Sequence, residues 1–351
     1  MLSLCMIVKN EEENLKSCLS QLVNFVDEII IADTGSSDNT KTIASEFTDK
    51  IYDFKWCSDF SKARNFSISK ASNDWILVLD ADEFIVDFNR DNLNKFINDF
   101  SSKNKVGRIQ RINIMDDSND NKKYIERVNR LFNRKYFHYE GIIHEQIVAL
   151  NNKTYKTENV DIIADHVGYT KEVLNRTDKI KRNIELLDAA VKNNSEDPYL
   201  YFQLGKSYYM LKEYKTSALY FEKALTFELD FRLEYVEDLV ETYGYSLINN
   251  GRYSDALILE NCLQVYSGLP DFHFLMGLIY MNNAIFEKAV ESFLECTKFP
   301  YAKVEGTNTY NAYYNIGVIY EVLGFREKAM EYYGMCGDYK PAMNRIKVQF
   351  N

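Results

Sequence analysis

A chain of 351 residues with 26 tyrosines, 22 phenylalanines and only 4 prolines has the length for two domains and the aromatic content for a core in each. Its net charge of −10 excludes nucleic acid as the main ligand, because a phosphate backbone demands basic surface. Six scattered cysteines without a C-x-x-C pair, no basic leader before Lys9 and no apolar run near the roughly 20 residues of a membrane span lead us to expect a reduced, soluble, cytoplasmic protein.

Leu2 to Val8 reads as a buried strand, and Lys9 to Glu13 turns it into a helix with Leu15, Cys18, Leu19 and Leu22 on one face. Asp27 to Asp33 is the next strand. It ends in the hydroxyl-rich turn Asp33 to Thr40, where Asp38 is expected to cap the following helix. Ile51 to Phe54 is a third strand, and Ser61 to Ala71 a helix. Alternation at this pace predicts a parallel sheet covered on both faces. The apolar run Ile76 to Leu79 then breaks into Asp80, Asp82 and Glu83. Such a run suits a strand buried on both faces, with the acids just past its carboxyl end, where open α/β sheets place ligands. In extended backbone Asp80 and Asp82 point the same way, and converging carboxylates call for a cation. A divalent metal holding a diphosphate meets that need; a strand ending in solvated acids satisfies these residues equally.

Four blocks carry a resemblance: C-M-I-V-K-N-E-E (Cys5 to Glu12), A-D-T-G-S-S-D-N-T (Ala32 to Thr40), A-R-N (Ala63 to Asn65) and L-D-A-D-E (Leu79 to Glu83). In this order, each at a strand end or helix start, they resemble glycosyltransferase family 2 over roughly Met1 to Tyr169. The resemblance implies a GT-A fold (a mixed, mainly parallel sheet with helices on both faces), a UDP-sugar donor and a D-x-D metal site for Mn²⁺ or Mg²⁺. It implies that Asp33 accepts the uracil N–H, that Asn10 and Glu11 line the nucleoside pocket, and that Arg64 meets the diphosphate. Asp82 is then the direct metal ligand. Asp80 touches ribose or a metal-bound water and counts with Asp82 as a metal-site acid, with Ala81 beside it in the donor site. A turn-capping Asp33, a first-turn Glu11 facing the helix dipole and a solvent-facing Arg64 are the plain alternatives.

Asp91 to Ser102 reads as a helix with Leu93, Phe96, Ile97 and Phe100 inward. Val106 to Met115 and Lys123 to Phe132 alternate like half-buried antiparallel strands around a polar loop at Asp116 to Asn121. Arg127, Arg130 and Arg134 add positive charge to one region, which a diphosphate leaving group could use, with surface solubility the expected role of at least two. In Tyr139 to Glu145 the resemblance extends to a G-x-x-H-E element. Inverting transfer needs a base for the acceptor proton, Glu145 being preferred and His144 the alternative; a structural hydrogen-bonding pair also fits. Late in GT-A domains a His or acid often completes the metal sphere, which makes His166 a candidate and favours Mn²⁺. A satisfied border histidine is its counterpart. His138 and His273 read as structural.

From Lys171 the period becomes helical, with Ile180, Ile184, Leu187, Ala190 and Val191 on one face up to Lys192. Four copies of a pattern follow, marked by Gly205, Gly244, Gly277 and Gly317 with nearby aromatics and an alanine. They resemble tetratricopeptide repeats, helix pairs in which a small residue permits close crossing and Tyr or Phe fills the gap. Wider spacing after Gly205 and Gly277 predicts two insertions, and Arg326 in the last copy suits a polar cap. The expected domains are 1–170, a connecting helix over 171–196, and an all-α repeat solenoid over 197–351. The repeat groove suits a peptide or protein acceptor, or a homodimer contact. The subgroup resembled includes bacterial enzymes that glycosylate peptides and proteins. The expected function is therefore metal-dependent inverting transfer to a Ser, Thr or Cys side chain. A cell-surface glycan acceptor and a non-catalytic scaffold are the alternatives.

Overall fold

The computed structural model describes residues 1–116, 121–167 and 179–349. The chain divides into two compact units, Met1–Lys179 and Ile180–Asn351.

The first unit runs β1 (Leu2–Val8), α1 (Leu15–Leu22), β2 (Glu28–Asp33), α2 (Thr40–Ala44), β3 (Ile51–Asp53), α3 (Phe60–Ser69), β4 (Trp75–Val78), β5 (Glu83–Phe88), α4 (Arg90–Asn98), β6 (Lys105–Asp116), β7 (Asn121–Asn133), β8 (Phe137–Glu140), β9 (Gln146–Ala149) and β10 (Lys156–His166). Its main sheet has the order β3-β2-β1-β4-β7-β6-β10-β5, and β8 and β9 form a separate hairpin. β1 pairs parallel with β2 and β4, as β2 does with β3 and β10 with β6; β7 joins β4 and β6 antiparallel, and β5 joins β10 likewise. The continuous apolar runs are buried on both faces. Leu4, Met6 and Leu77 pack with Leu15, Leu19 and Phe96 from α1 and α4. Cys5, Ile30, Ile76 and Val78 pack on the other face with Ile68 of α3 and with Phe137 and Tyr139 of β8. Each such buried aliphatic or aromatic side chain contributes about 1.5–3 kcal/mol, which holds the strand ends, and hence the site, in place.

Several expectations change. The helix expected over Asp91 to Ser102 stops at Asn98, because Asp99 takes an extended conformation and accepts the Ser101 N–H at 2.9 Å, starting a 3₁₀ turn. Phe100 therefore lies 80% exposed instead of facing inward. The cap of α2 is Asn39; Asp38 instead accepts the Thr40 N–H at 3.0 Å from one residue earlier. Residues 117–120 of the polar loop and 171–178 of the connecting helix lie outside the described residues. The strands β5, β8, β9 and β10 were not expected.

In the second unit a helix over Lys179–Asn193 precedes four helix pairs: Pro198–Met210 with Tyr214–Leu225, Glu234–Asn249 with Tyr253–Cys262, Pro270–Asn282 with Phe286–Cys296, and Tyr310–Val322 with Arg326–Gly334. The insertions fall at 226–233 and 297–309, as the spacing predicts. Lys303 in the second reaches back to Glu237 and Glu241. The gaps at Gly205, Gly277 and Gly317 are filled from the partner helix, by Phe221, Phe293 and Tyr333, and not by the aromatics nearest in sequence. Gly244 faces Leu259 and Leu275 instead, where the second helix tightens into a 3₁₀ turn. The last copy is no solvent cap. A further helix, Lys340–Gln349, follows it, with Tyr339 stacked on Tyr310 at 4.8 Å.

Close crossing makes these glycines sensitive. A Cβ at Gly277 would lie 2.6 Å from the ring of the fully buried Phe293. Gly277→Ala is expected to destabilise the protein by about 1–3 kcal/mol through overpacking, read as a lower denaturation midpoint. An unchanged midpoint would mean that the Phe293 ring has room to retreat. Among the described residues no helix is long and apolar enough to cross a membrane.

Candidate active site

The site gathers at the carboxyl ends of β1, β2 and β4. Asn10, with φ of 56°, turns the chain out of β1. Its N–H donates to Ser36 Oγ at 3.0 Å and its Oδ1 accepts the Ser37 N–H at 2.9 Å, while the Glu11 N–H donates to Thr40 Oγ1 at 2.7 Å. These bonds stitch the turn after β1 to the turn after β2. Asp33, only 2% exposed, closes the second turn by accepting the Gly35 and Ser36 N–H groups on Oδ1, at 3.0 and 2.9 Å. Gly35 permits this with φ of 107°. The other oxygen, Asp33 Oδ2, is buried without a hydrogen-bond partner. A buried acceptor left in this way is costly unless a ligand donates to it.

Asp59 caps α3 by accepting the Lys62 N–H at 3.0 Å, which orients Arg64 inward. Buried Arg64 donates from Nη2 to Asp80 Oδ1 at 2.9 Å and from Nε to Glu145 Oε1, and its Nη1 is buried without a partner. Arg130 of β7 donates from Nη2 to Asp80 Oδ2 at 2.9 Å and to Glu83 Oε1 at 2.6 Å. Glu83 is 0% exposed, and Arg111 of β6 also reaches it, at 3.1 Å. Charges of alternating sign thus run through Glu145, Arg64, Asp80, Arg130, Glu83 and Arg111. Only such pairing makes buried charge tolerable. Burial works against the Arg64 cation, but Asp80 and Glu145 outweigh it and hold its proton above the ordinary range. Burial pushes the Tyr139 phenol up to about 12, with Arg64 and Arg130 pulling the other way.

His144 and Glu145 lie on the turn between β8 and β9, made possible by left-handed backbone at Gly141 (φ 102°) and His144 (φ 51°). The Phe60 N–H donates to Ile142 O at 2.8 Å, and the Asn65 amide both donates to Tyr139 O and accepts its N–H, at 2.8 and 2.9 Å. The A-R-N block therefore does two jobs: Arg64 holds the acids, and Asn65 docks the hairpin that brings Glu145.

β4 ends at Val78, and the Glu83 N–H donates to Asp80 O at 3.1 Å, so Asp80, Ala81 and Asp82 lie on a turn. The extended geometry expected of them does not hold. Asp80 faces Arg64 and Arg130, whereas Asp82 Oδ2 lies 3.4 Å from Nε2 of His166, at the end of β10. His166 Nδ1 is 2.7 Å from Asn113 Oδ1. Among the described residues no three His, Cys, Asp or Glu side chains cluster for a metal. Two protein ligands suit a hard divalent ion that takes its other ligands from phosphate oxygens and water. Asp82 Oδ2 and His166 Nε2, 3.4 Å apart, are the pair that would hold it. The donor set fits such a cation.

Sequence reasoning missed Arg111 and Asn113 as site residues, gave Glu83 no role beyond its place among the strand-end acids, and did not single out Arg130 from its neighbours. Nothing local separates Arg130 from Arg127 or Arg134; only the antiparallel register of β7 turns it toward Asp80. His138 pairs with Glu140 at 2.8 Å, and His273 Nε2 lies 2.9 Å from Ser267 O. A cavity of about 400 Å³ opens elsewhere, beside Asn92, Phe96, Asp99 and Val160, and none of the candidate residues lines it.

The sequence model of glycosyl transferase family 2 matches residues 3–176, and that of the tetratricopeptide repeat matches 198–231 and 310–341. A TPR repeat-containing protein of Synechococcus elongatus is 33% identical over 211 residues, 58% of this chain and 51% of that protein. The SPbeta prophage-derived glycosyltransferase SunS of Bacillus subtilis is 29% identical over 232 residues, 62% of this chain and 52% of that protein. The chain spans about half the length of these curated relatives. Among solved structures, YrrB, described as a TPR protein with an unusual peptide-binding site, aligns with a TM-score of 0.42 at 23% identity, over 50% of this chain and 88% of that one.

Proposed function

On the premise that the amino-terminal domain belongs to glycosyltransferase family 2 and that tetratricopeptide repeats follow it, we propose that the chain is a metal-dependent inverting glycosyltransferase moving a sugar from a UDP-sugar to a Ser, Thr or Cys side chain of a peptide or protein. The observation that carries this reading is the Asp82 carboxylate 3.4 Å from His166 Nε2 at the end of β4 and β10, next to the arginine-bound Asp80.

In this reading Asp33 Oδ2 accepts the uracil N–H, and Asn10 and Glu11 wall the nucleoside. Asp80, held by two arginines, turns from metal ligand to ribose-side anchor beside Ala81. Arg64 Nη1 donates to the diphosphate, a pairing the planar guanidinium suits. Asp82 and His166 would hold Mn²⁺ or Mg²⁺, which when bound offsets charge on the departing diphosphate. The acceptor oxygen or sulfur bonds to the anomeric carbon as the bond from that carbon to the UDP oxygen breaks, its electron pair leaving with UDP. Glu145, with His144 as the alternative, takes the acceptor proton. The repeats present the acceptor, as stacked helix pairs with extended grooves do.

UDP release from a panel of UDP-sugars with Mn²⁺ tests the reading, and chelation should abolish it. Asp33→Asn keeps an oxygen for Gly35 and Ser36 but puts an amide where the acceptor was. It should weaken UDP binding about 10- to 100-fold, since a buried donor left unpaired costs about 1–3 kcal/mol. No turnover with any sugar nucleotide, alongside tight binding of a protein partner, would favour the scaffold instead.

A further inference from the structure

We propose that Asn113 is a positioning residue that decides which nitrogen of His166 faces Asp82; this rests on reading Asp82 and His166 as the cation site. An imidazole coordinates only through a nitrogen without a proton, so the partner of the other nitrogen sets its competence. That partner is Asn113, 1% exposed on β6, placed beside His166 by the parallel register of β10 on β6.

The two ends of an amide look alike, so its orientation must follow from what each end meets. Asn113 Nδ2 lies 2.6 Å from Glu126 Oε1 and 3.4 Å from the Tyr124 carbonyl oxygen. A carboxylate and a carbonyl only accept, so the amino group belongs there and Oδ1 faces His166. Oδ1 also only accepts. At 2.7 Å it requires the proton to sit on Nδ1, which leaves Nε2 as the nitrogen directed at Asp82. The opposite tautomer would set two lone pairs against each other at 2.7 Å, a closer conflict than that between a bare Nε2 and the Asp82 carboxylate at 3.4 Å.

Glu126 is itself held. Arg111 donates to the same Oε1 from Nε at 3.1 Å and from Nη2 at 2.8 Å, and its Nη1 reaches Glu83. Arg130 joins Glu83 to Asp80. The ion network around Asp80 and the His166 ring are therefore one hydrogen-bonded string, with Asn113 as the joint between them.

Two measurements on the full chain test this. With ¹⁵N-labelled histidine, the metal-free protein at mildly alkaline pH should show the His166 ring protonated on Nδ1, the signal being assigned by its loss in His166→Gln. A ring protonated on Nε2 with bare Nδ1 overturns the proposal, and this needs no Asn113 variant to fold. Asn113→Leu, similar in size but without an acceptor, should bind Mn²⁺ about 10- to 100-fold more weakly by electron paramagnetic resonance, with UDP affinity measured without metal unchanged. Equal Mn²⁺ affinity in the two proteins removes Asn113 alone. No Mn²⁺ binding by the unaltered chain removes the cation reading and this inference with it.

Discussion

Asp82→Asn is expected to lower sugar transfer about 10³-fold while UDP binding measured without metal stays as it was. The carboxylate is what Nε2 of His166 faces at 3.4 Å, and an amide there offers a neutral oxygen of much lower affinity for a hard cation. A bound divalent ion supplies several kcal/mol of charge stabilisation at a leaving diphosphate, and each 1.36 kcal/mol is tenfold in rate, which gives the expected size. Asp33 and the stitched turns after β1 and β2, the proposed nucleoside side, are untouched by the change. Steady-state UDP release with Mn²⁺ and equilibrium UDP binding separate the two effects. Undiminished turnover would take Asp82 out of the cation site. Asp80→Asn should differ in kind, since it loosens two buried arginines and costs stability as well as rate.

Arg130→Met should destabilise the folded protein by about 3 kcal/mol, seen as a lower urea midpoint. Removing one member of a buried ion pair costs about 3–5 kcal/mol because the other is left charged without its partner. Glu83 is the residue left behind, wholly buried and donated to by Arg130 at 2.6 Å. Arg111, still 3.1 Å away, and the Asp80 N–H at 3.0 Å on the other oxygen keep the effect near the lower end. Adding Glu83→Gln to Arg130→Met should restore much of the loss, since the stranded charge is then gone. A double variant no more stable than the single one would show that Arg130 acts by packing alone.

The succession of strands and helices in the first half, and a sheet covered on both faces, were legible because β1, β2 and β4 are continuous apolar runs, each ending abruptly in polar residues, and such runs have one stable place: the middle of a covered sheet. Asp33, Asp80 and Asp82 stood out for the same reason, as acids at the ends of those runs, whereas Arg64, inside α3, stood out only through the A-R-N block. The repeats announced themselves through a recurring glycine, aromatic and alanine pattern, although which aromatic fills a gap did not follow from it, because Phe221, Phe293 and Tyr333 come from the facing helix.

Which acid takes which partner was beyond a linear reading. Asp80 and Asp82 differ by one intervening residue, yet a turn at Ala81 sends one to Arg64 and Arg130 and the other to His166. Asn113, Glu126, Arg111 and Arg130 gained their places from the pairing of β6 with β7 and β10, between segments up to about fifty residues apart. A pattern of apolar residues states how much of a segment must be hidden from water, and that is a local property. The choice of partner for a buried charge depends on strand register, which is settled only when distant segments pack and every charge carried inside must find its opposite.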